Sequence, residues 1–317
     1  MSARIAVVVV TWNGIEDTRS CVASILEAGH PGGQVYVVDN GSDADEASQL
    51  QAEFAQISVV RLDDNYGYAA AANAGIAAAR RDGCGSVLLL NNDTTIDLET
   101  IPALEAASRN LGPKAILAPL IVRPDGLVWS AGGALRWPWV AGTHIGIGED
   151  PARFTDPAPV AWASGCALFA PMGCFDATDG LDERYFLYLE DIDWCLSAKK
   201  HGYTTWCVPQ SRVLHAVTKT VNSMDPRISR YYAYRNFYLV GMRHAPLMWR
   251  AWLAGHLAVA LAKTLARNAL SSQHRHDTYY NARTRGLLDF VRGRTGKAPY
   301  AHRIEPLPQP AMSEVRA

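Results

Sequence analysis

Four short aliphatic runs punctuate the first third of the chain, at 5–10, 34–38, 58–62 and 86–90, and each ends in polar or glycine residues. Between them, 17–28, 44–55 and 68–81 place apolar residues at helical spacing, and Gly29 is a stop signal. A strand that is apolar on successive residues needs cover on both faces, as in a parallel sheet flanked by helices. The order β-α-β-α-β-α-β therefore predicts an α/β fold with right-handed crossovers.

In such sheets ligands bind beyond the carboxyl ends of the strands. Here those ends carry Thr11-Trp12-Asn13-Gly14, Asp39-Asn40-Gly41-Ser42, Asn65-Tyr66-Gly67 and Asn91-Asn92-Asp93. Four polar ends on one edge make a cleft lined with hydrogen-bonding groups. The first turn lacks G-x-G-x-x-G and the chain lacks the P-loop pattern, so neither a dinucleotide motif nor a P-loop is present. Asp39 suits an imide N–H or a ribose hydroxyl, and it equally suits a turn cap. Asp93 offers a hard carboxylate for a divalent cation that would hold a diphosphate. The same Asn-Asn-Asp also suits a cap for a helix starting near Asp97.

Farther on, 97–111 reads as a helix closed by Gly112-Pro113, and 115–122 as a strand. The stretch 129–156 reads as loops and short strands around an opening. Trp137 and Trp139 flank Pro138, placed either to stack on a sugar ring or to join an apolar cluster. In the strand-like run 162–170, Ser164-Gly165 predicts a bulge or a close approach of backbone to ligand. Glu190, Asp191 and Asp193 open a helix that stops at Gly202. A helix N-terminus favours carboxylates by itself. Crowding among Tyr185, Phe186, Tyr188 and Trp194 would also raise their pKa values, as a general base toward an alcohol requires. His215 follows a strand-like 204–208 segment and reads as a structural or a metal-ligating imidazole. In 230–236, Arg230, Tyr234 and Arg235 either meet anionic groups or form a solvated face.

A net charge of -1 over 317 residues argues against a nucleic-acid binder. Six cysteines without a C-x-x-C pair read as small buried hydrophobes in a reducing, cytoplasmic compartment. Residues 1–10 are too short and strand-like for a signal peptide. The stretch 244–270 carries Trp249, Trp252 and an apolar run broken by His256 and Lys263, shorter than the ~20 residues of a spanning helix. It suits peripheral contact with an anionic membrane surface through Arg250, Lys263 and Arg267, or packing on the catalytic domain.

Taken in order, VVVTWNG at 8–14, VVDNGS at 37–42, NYGYAAAAN at 65–73, LLLNND at 88–93, SGCALF at 164–169 and FLYLEDIDWCLSAKKHGY at 186–203 resemble the inverting family 2 glycosyltransferases, in particular their rhamnosyltransferase-like branch. The resemblance implies a GT-A fold, a mostly parallel central sheet flanked by helices. It divides 1–222 into a nucleotide-sugar half (1–95) and an acceptor half (96–222), followed by a helical extension (223–300) and a disordered tail (301–317). It assigns Thr11, Asn13, Asp39, Asn65 and Gly67 to the nucleoside pocket. Asn91-Asn92-Asp93 occupies the D-x-D position, with Asn in place of the first acid, so that Asn92 and Asp93 meet the donor and Asp93 the metal. Asp191 would be the base and His215 a metal ligand, although the glycine and serine that often follow that histidine are absent. Glu190, Asp193, Trp137, Arg230 and Arg235 fall on the acceptor side. The cofactor implied is Mg²⁺ or Mn²⁺. The donor implied is a dTDP- or UDP-sugar, with a deoxyhexose such as rhamnose favoured. The acceptor implied is a glycan or lipid-linked hydroxyl in cell-surface assembly, reached from the cytoplasm at the inner face of the membrane. Two rivals stand beside this reading. One is a catalytically idle nucleotide-sugar-binding protein. The other is a sugar-phosphate nucleotidyltransferase, which would want a basic, glycine-rich loop where Thr11-Trp12-Asn13-Gly14 stands.

Overall fold

The structure, a computed structural model, describes residues 4–216, 226–270 and 278–298. Strands β1 (Ile5–Thr11), β2 (Val35–Asp39), β3 (Ser58–Arg61) and β4 (Ser86–Asn91) pair in parallel in the order β4-β1-β2-β3. Helices α1 (Ile15–Glu27), α2 (Glu46–Glu53) and α3 (Tyr68–Arg81) connect them. Successive side chains divide cleanly between the two faces. Val8, Val38 and Leu89 lie in one core with Ala72, whereas Val7, Val9, Val37 and Leu88 lie in another with Val22 and Ile25. Both sides are therefore dry, and each fully buried Val or Leu contributes about 1.5–3 kcal/mol. Gly75 lets α3 lie directly on the sheet, since a Cβ there would sit 2.4 Å from Val8 Cγ1.

The second half extends the same sheet with mixed polarity. After β5 (Thr94–Ile96) and α4 (Thr100–Leu111), β6 (Ala115–Val122) is a central strand. β7 (Val128–Ser130) pairs with β6, and β8 (Gly133–Arg136) and β9 (Trp139–His144) form a separate hairpin with a cis Trp137–Pro138 bond at its turn. β10 (Ala158–Val160) is an edge strand, and β11 (Ala167–Pro171) inserts antiparallel between β4 and β6. Helices α5 (Met172–Thr178) and α6 (Glu190–Lys200) precede β12 (Thr204–His215), which runs parallel to β6.

Three features differ from the sequence expectation. The strand expected over 162–170 begins only at Ala167, because Trp162 makes an isolated bridge to Gly133 instead. Ser164 and Gly165 thus stay outside the ladder. The strand-like 204–208 and the segment ending at His215 are one strand, with a register shift between Val208 and Arg212. Asn91-Asn92-Asp93 leads into β5 rather than straight into a helix, and β5 pairs antiparallel with the end of β12, His215 opposite Thr94.

Among the described residues three helices follow: α7 (Pro226–His244), α8 (Leu247–Leu270) and α9 (Thr278–Val291). α9 packs closely on α7, and a Cβ at Gly286 would meet the Tyr231 carbonyl oxygen at 2.6 Å. Tyr231, Tyr232 and Ala282 cluster with Phe186, so this extension reaches the loop before α6. Among the described residues no helix is long and apolar enough to cross a membrane. The tail expected at 301–317 lies outside the described residues.

Candidate active site

Parallel pairing sets the ends of β1 and β2 side by side, Thr11 opposite Asp39. Asp39 is fully buried; its Oδ1 accepts from Ser42 N at 3.0 Å, and its Oδ2 has no partner. A buried acceptor left unmade costs about 1–3 kcal/mol, which a ligand N–H or O–H would recover. Asn40 ties the next loop to this one. Its Nδ2 donates to Asn65 Oδ1 and to the Gly67 carbonyl, and its Oδ1 accepts from Tyr66 N. Asn65 Oδ1 in turn accepts from Gly67 N. Asn13 and Asp43 exchange two hydrogen bonds of 2.9 Å, and Asn13 N donates to Ser42 Oγ. Thr11 and Asn92 spend their side chains on the scaffold. Asn92 Nδ2 donates to Thr11 Oγ1, Thr18 Oγ1 and the Gly14 carbonyl, pinning the end of β4 to the β1–α1 turn.

The β5–β12 pairing carries His215 to Asp93. His215 Nε2 lies 3.2 Å from Asp93 Oδ2, and both side chains are buried. Neither ring nitrogen of His215 has a hydrogen-bond partner, so the pair is close without the alignment of a hydrogen bond. An imidazole nitrogen and a carboxylate oxygen converging in this way suit a divalent cation between them. Among the described residues no group of three or more His, Cys, Asp or Glu could hold a metal. A cation here would thus take its remaining ligands from water and phosphate oxygens, as Mg²⁺-type sites do. The His215 ring packs edge-on against Trp129, which also lies against His144, and His144 against Trp162. Burial first, and His215 second, push the His144 pKa down to about 4.

Asp191 joins the site through the 164–166 segment. Three departures into positive φ within four residues, at Phe186 (63°), Tyr188 (67°) and Leu189 (70°), turn the chain sharply into α6. Asp191 Oδ2 accepts from Gly165 N at 2.9 Å and Oδ1 from Ile192 N at 2.7 Å. Gly165 also accepts from the Tyr68 hydroxyl at 2.6 Å, a contact absent from the sequence reading, although Tyr68 stands beside Gly67 in a quoted motif. One residue on, the Cys166 carbonyl accepts from Asn91 N at 2.9 Å. The 164–166 segment thus bridges the Asp93 loop and Asp191. Burial raises the Cys166 thiol pKa well above its ordinary value, and the charges of Asp93 and Asp191 both add to that rise.

The two neighbouring acids divide their protons. Burial, and then the charge of Asp191, push Glu190 up to about 8. Burial also raises Asp191, but its two backbone N–H donors favour the charged form. The shared burial thus favours the proton of the pair on Glu190 and the charge on Asp191.

Two residues expected on the acceptor side are committed elsewhere. Asp193 is buried; its carboxylate accepts from the Tyr185 hydroxyl and Arg243 and lies 2.7 Å from His244 Nε2. Arg235 is only 1% exposed, and its guanidinium donates to the Arg184, Tyr185 and Gly296 carbonyls and to Asn236 Oδ1. With four donors engaged, it is a brace within the protein rather than an anion receptor. Its neighbour Asn236, not singled out from sequence, donates to the Tyr185, Leu187 and Tyr188 carbonyls. The pair therefore holds the loop that aims Asp191. Trp137 is half-buried against the core and the Tyr238 cluster. Arg230 is half-buried with its guanidinium 5.9 Å from the Tyr234 ring centroid.

A mostly parallel sheet with an inserted antiparallel strand, a carboxylate–imidazole pair at the sheet edge and a buried carboxylate in the first turn of α6 fit a GT-A glycosyltransferase. Comparison with known proteins points the same way. Residues 6–143 match the sequence profile of glycosyl transferase family 2, and the chain is similar along most of its length to two rhamnosyltransferases. It is 28% identical over 303 residues to the N-acetylglucosaminyl-diphospho-decaprenol L-rhamnosyltransferase of Mycobacterium tuberculosis, covering 87% of this chain and 97% of that one. It is 24% identical to the dTDP-rhamnosyl transferase RfbF of Shigella flexneri, covering 95% and 99%. Among solved structures, the mannosyltransferase PcManGT of Pyrobaculum calidifontis with GDP-Man and Mn²⁺ aligns with a TM-score of 0.55 at 16% identity, covering 92% of this chain and 88% of that one. GalNAc-T7 with UDP, GalNAc and Mn²⁺ aligns at 0.57 and 15% identity, covering 74% of this chain and 51% of that one. At such identities these two likenesses carry the fold alone.

Proposed function

We propose that this glycosyltransferase moves rhamnose from dTDP-rhamnose to an acceptor hydroxyl with inversion, using Mg²⁺ or Mn²⁺. The observation that carries the reading is the 164–166 segment, bonded at one end to Asp191 and at the other to the strand that leads to Asp93 and His215. Residues 1–95 would hold the donor and 96–222 the acceptor. Asp39 Oδ2 would accept from the base imide or from the sugar of the nucleoside, supported by its want of a partner. Asp93 and His215 would hold the cation, and an imidazole ligand favours Mn²⁺ over Mg²⁺. The cation would neutralise the departing diphosphate. Asp191, anionic beside a protonated Glu190, would take the acceptor proton as its oxygen attacks the anomeric carbon. A single displacement needs no enzyme nucleophile and inverts the centre. The names of the two relatives support rhamnose as the donor sugar, and that of the mycobacterial enzyme a polyprenyl-diphosphate acceptor.

Thermal-shift titration with dTDP-, UDP- and GDP-sugars, with and without Mn²⁺, tests the donor. The expected outcome is metal-dependent protection that is largest for dTDP-rhamnose and lost in Asp93→Ala and His215→Ala. Protection that is equal without metal, or unchanged in both variants, would overturn the assignment. Protection by every donor with no transfer or hydrolysis of any would instead favour the idle binding protein.

A further inference from the structure

Helix α8 packs on the protein through one face and leaves the other bare. Leu253 and Ala260 are buried with Tyr238 and Leu287, and Leu257 and Leu261 pack against them. At about 100° per residue, the exposed positions fall on the opposite side of the helix. Leu247, Met248, Trp252, Val259 and Leu265 are each exposed, from 37% to 82%, with only exposed alanines and Gly255 between them. This strip carries no charged residue over some five turns. Monomeric surfaces rarely leave so continuous an apolar band open to water. Along its border stand Lys263 and Arg267, both exposed, and residues 226–270 contain no Asp or Glu at all. The surroundings are therefore cationic on an α7–α8 segment free of acids, although the whole chain carries a net charge of only -1.

From this we infer that the outer face of α8 docks on the surface of an anionic lipid bilayer, the helix lying in the interface plane. An apolar strip edged by lysine and arginine is the composition of interfacial helices, whose apolar face enters the boundary of headgroups and acyl chains by about 5–10 Å. Each nearby cation adds attraction to anionic headgroups, and salt screens it. The packed inner face keeps the helix on the protein while the outer face is on the membrane, so the two sequence readings of 244–270 are compatible. The inference does not depend on the donor or acceptor proposed above, since it concerns a face remote in sequence from the 93–215 pair.

Flotation of the full chain tests it, with vesicles of phosphatidylcholine alone and of phosphatidylcholine mixed with phosphatidylglycerol. Co-migration is expected with the mixed vesicles and not with the neutral ones, and should decline as salt is raised. Val259→Asp with Leu265→Asp should abolish it, and Lys263→Glu should weaken it about tenfold. Because these side chains are exposed, the variants should keep the thermal midpoint of the parent, and their transfer to a water-soluble acceptor should be unchanged. Normal transfer with no flotation would sink this inference and leave the catalytic one standing. Flotation unaffected by the Val259/Leu265 change would sink it too. So would a concentration-dependent dimer that those same substitutions dissolve, which would make the strip a contact between two copies of this chain.

Discussion

At the scale of single residues, the division of labour between Glu190 and Asp191 is the sharpest claim. Two carboxyls side by side cannot both be charged cheaply in a buried place. The backbone donors at Gly165 and Ile192 choose Asp191 for the charge. Asp191→Asn keeps the size of the side chain but removes its basicity, and transfer should fall by roughly 10²–10⁴ while donor binding is spared. Single-turnover rates alongside donor titrations would separate the two, and turnover like the parent's would reject Asp191 as the base. Glu190 carries a second expectation, in stability rather than rate. Its folded pKa of about 8 exceeds its unfolded value of 4.5, so between them the folded state binds more protons. Stability should therefore fall as pH rises from the lower value through the higher one. Glu190→Gln should flatten that slope, and urea midpoints across the window would measure it. Both acids were legible in the sequence because charge amid large aromatics is conspicuous. Arg235 was not legible in the same way. RYYAYRN shows a cation on a helix, but the carbonyls that occupy it lie 50, 51 and 61 residues away.

Among elements, the loop 186–189 sets the geometry of the site, and its restraints come from two directions. Gly67 has φ +90°, and a Cβ there would sit 2.4 Å from the Phe186 carbonyl oxygen, the same oxygen that accepts from Tyr68 N. From behind, the side-chain NH₂ of Asn236 donates to three loop carbonyls, one of its two N–H groups being shared. Positive φ at three non-glycine residues is costly, and such strain persists only where the surroundings over-determine it. Asn236→Ala should strand those carbonyls at a cost of about 1–3 kcal/mol, lower the melting temperature and reduce kcat with donor KM little changed. A variant that melts lower but turns over like its parent would mean the loop needs no such brace. The alternation of buried runs made β1 to β4 readable, since hydrophobicity on consecutive residues is a local property. The hidden elements are those fixed by distant pairing. β5 is three residues long and exists through β12, and β12 reaches His215 only across an irregular register at 208–212.

For the whole molecule, the C-terminal helices are part of the site's foundation rather than an appendage. Arg243 and His244 from α7 meet the buried Asp193 of α6, and Arg235 and Asn236 hold the turn that precedes it. Gly296 and Lys297 close the circuit, the first bonded to Arg184 and the second ion-paired with Asp64 beside Asn65. The Lys297–Asp64 pair is exposed and contributes little by itself. The partners of Asp193 are another matter, because an unpaired buried carboxylate costs about 3–5 kcal/mol. A chain ended at residue 222 would lose both groups at once, and Phe186, Tyr185 and the carbonyls of the loop would meet water. Such a chain should unfold at lower urea concentration than the full one, and it should bind an apolar dye under conditions where the full chain does not. The parallel strands carry their own core of Val7, Val9, Val37 and Leu88 with α1, so nucleotide protection should outlast sugar transfer in that truncation. Measuring both on the same preparation decides the matter. A truncated chain with the parent's urea midpoint and full transfer would mean that the base is aimed by α6 alone.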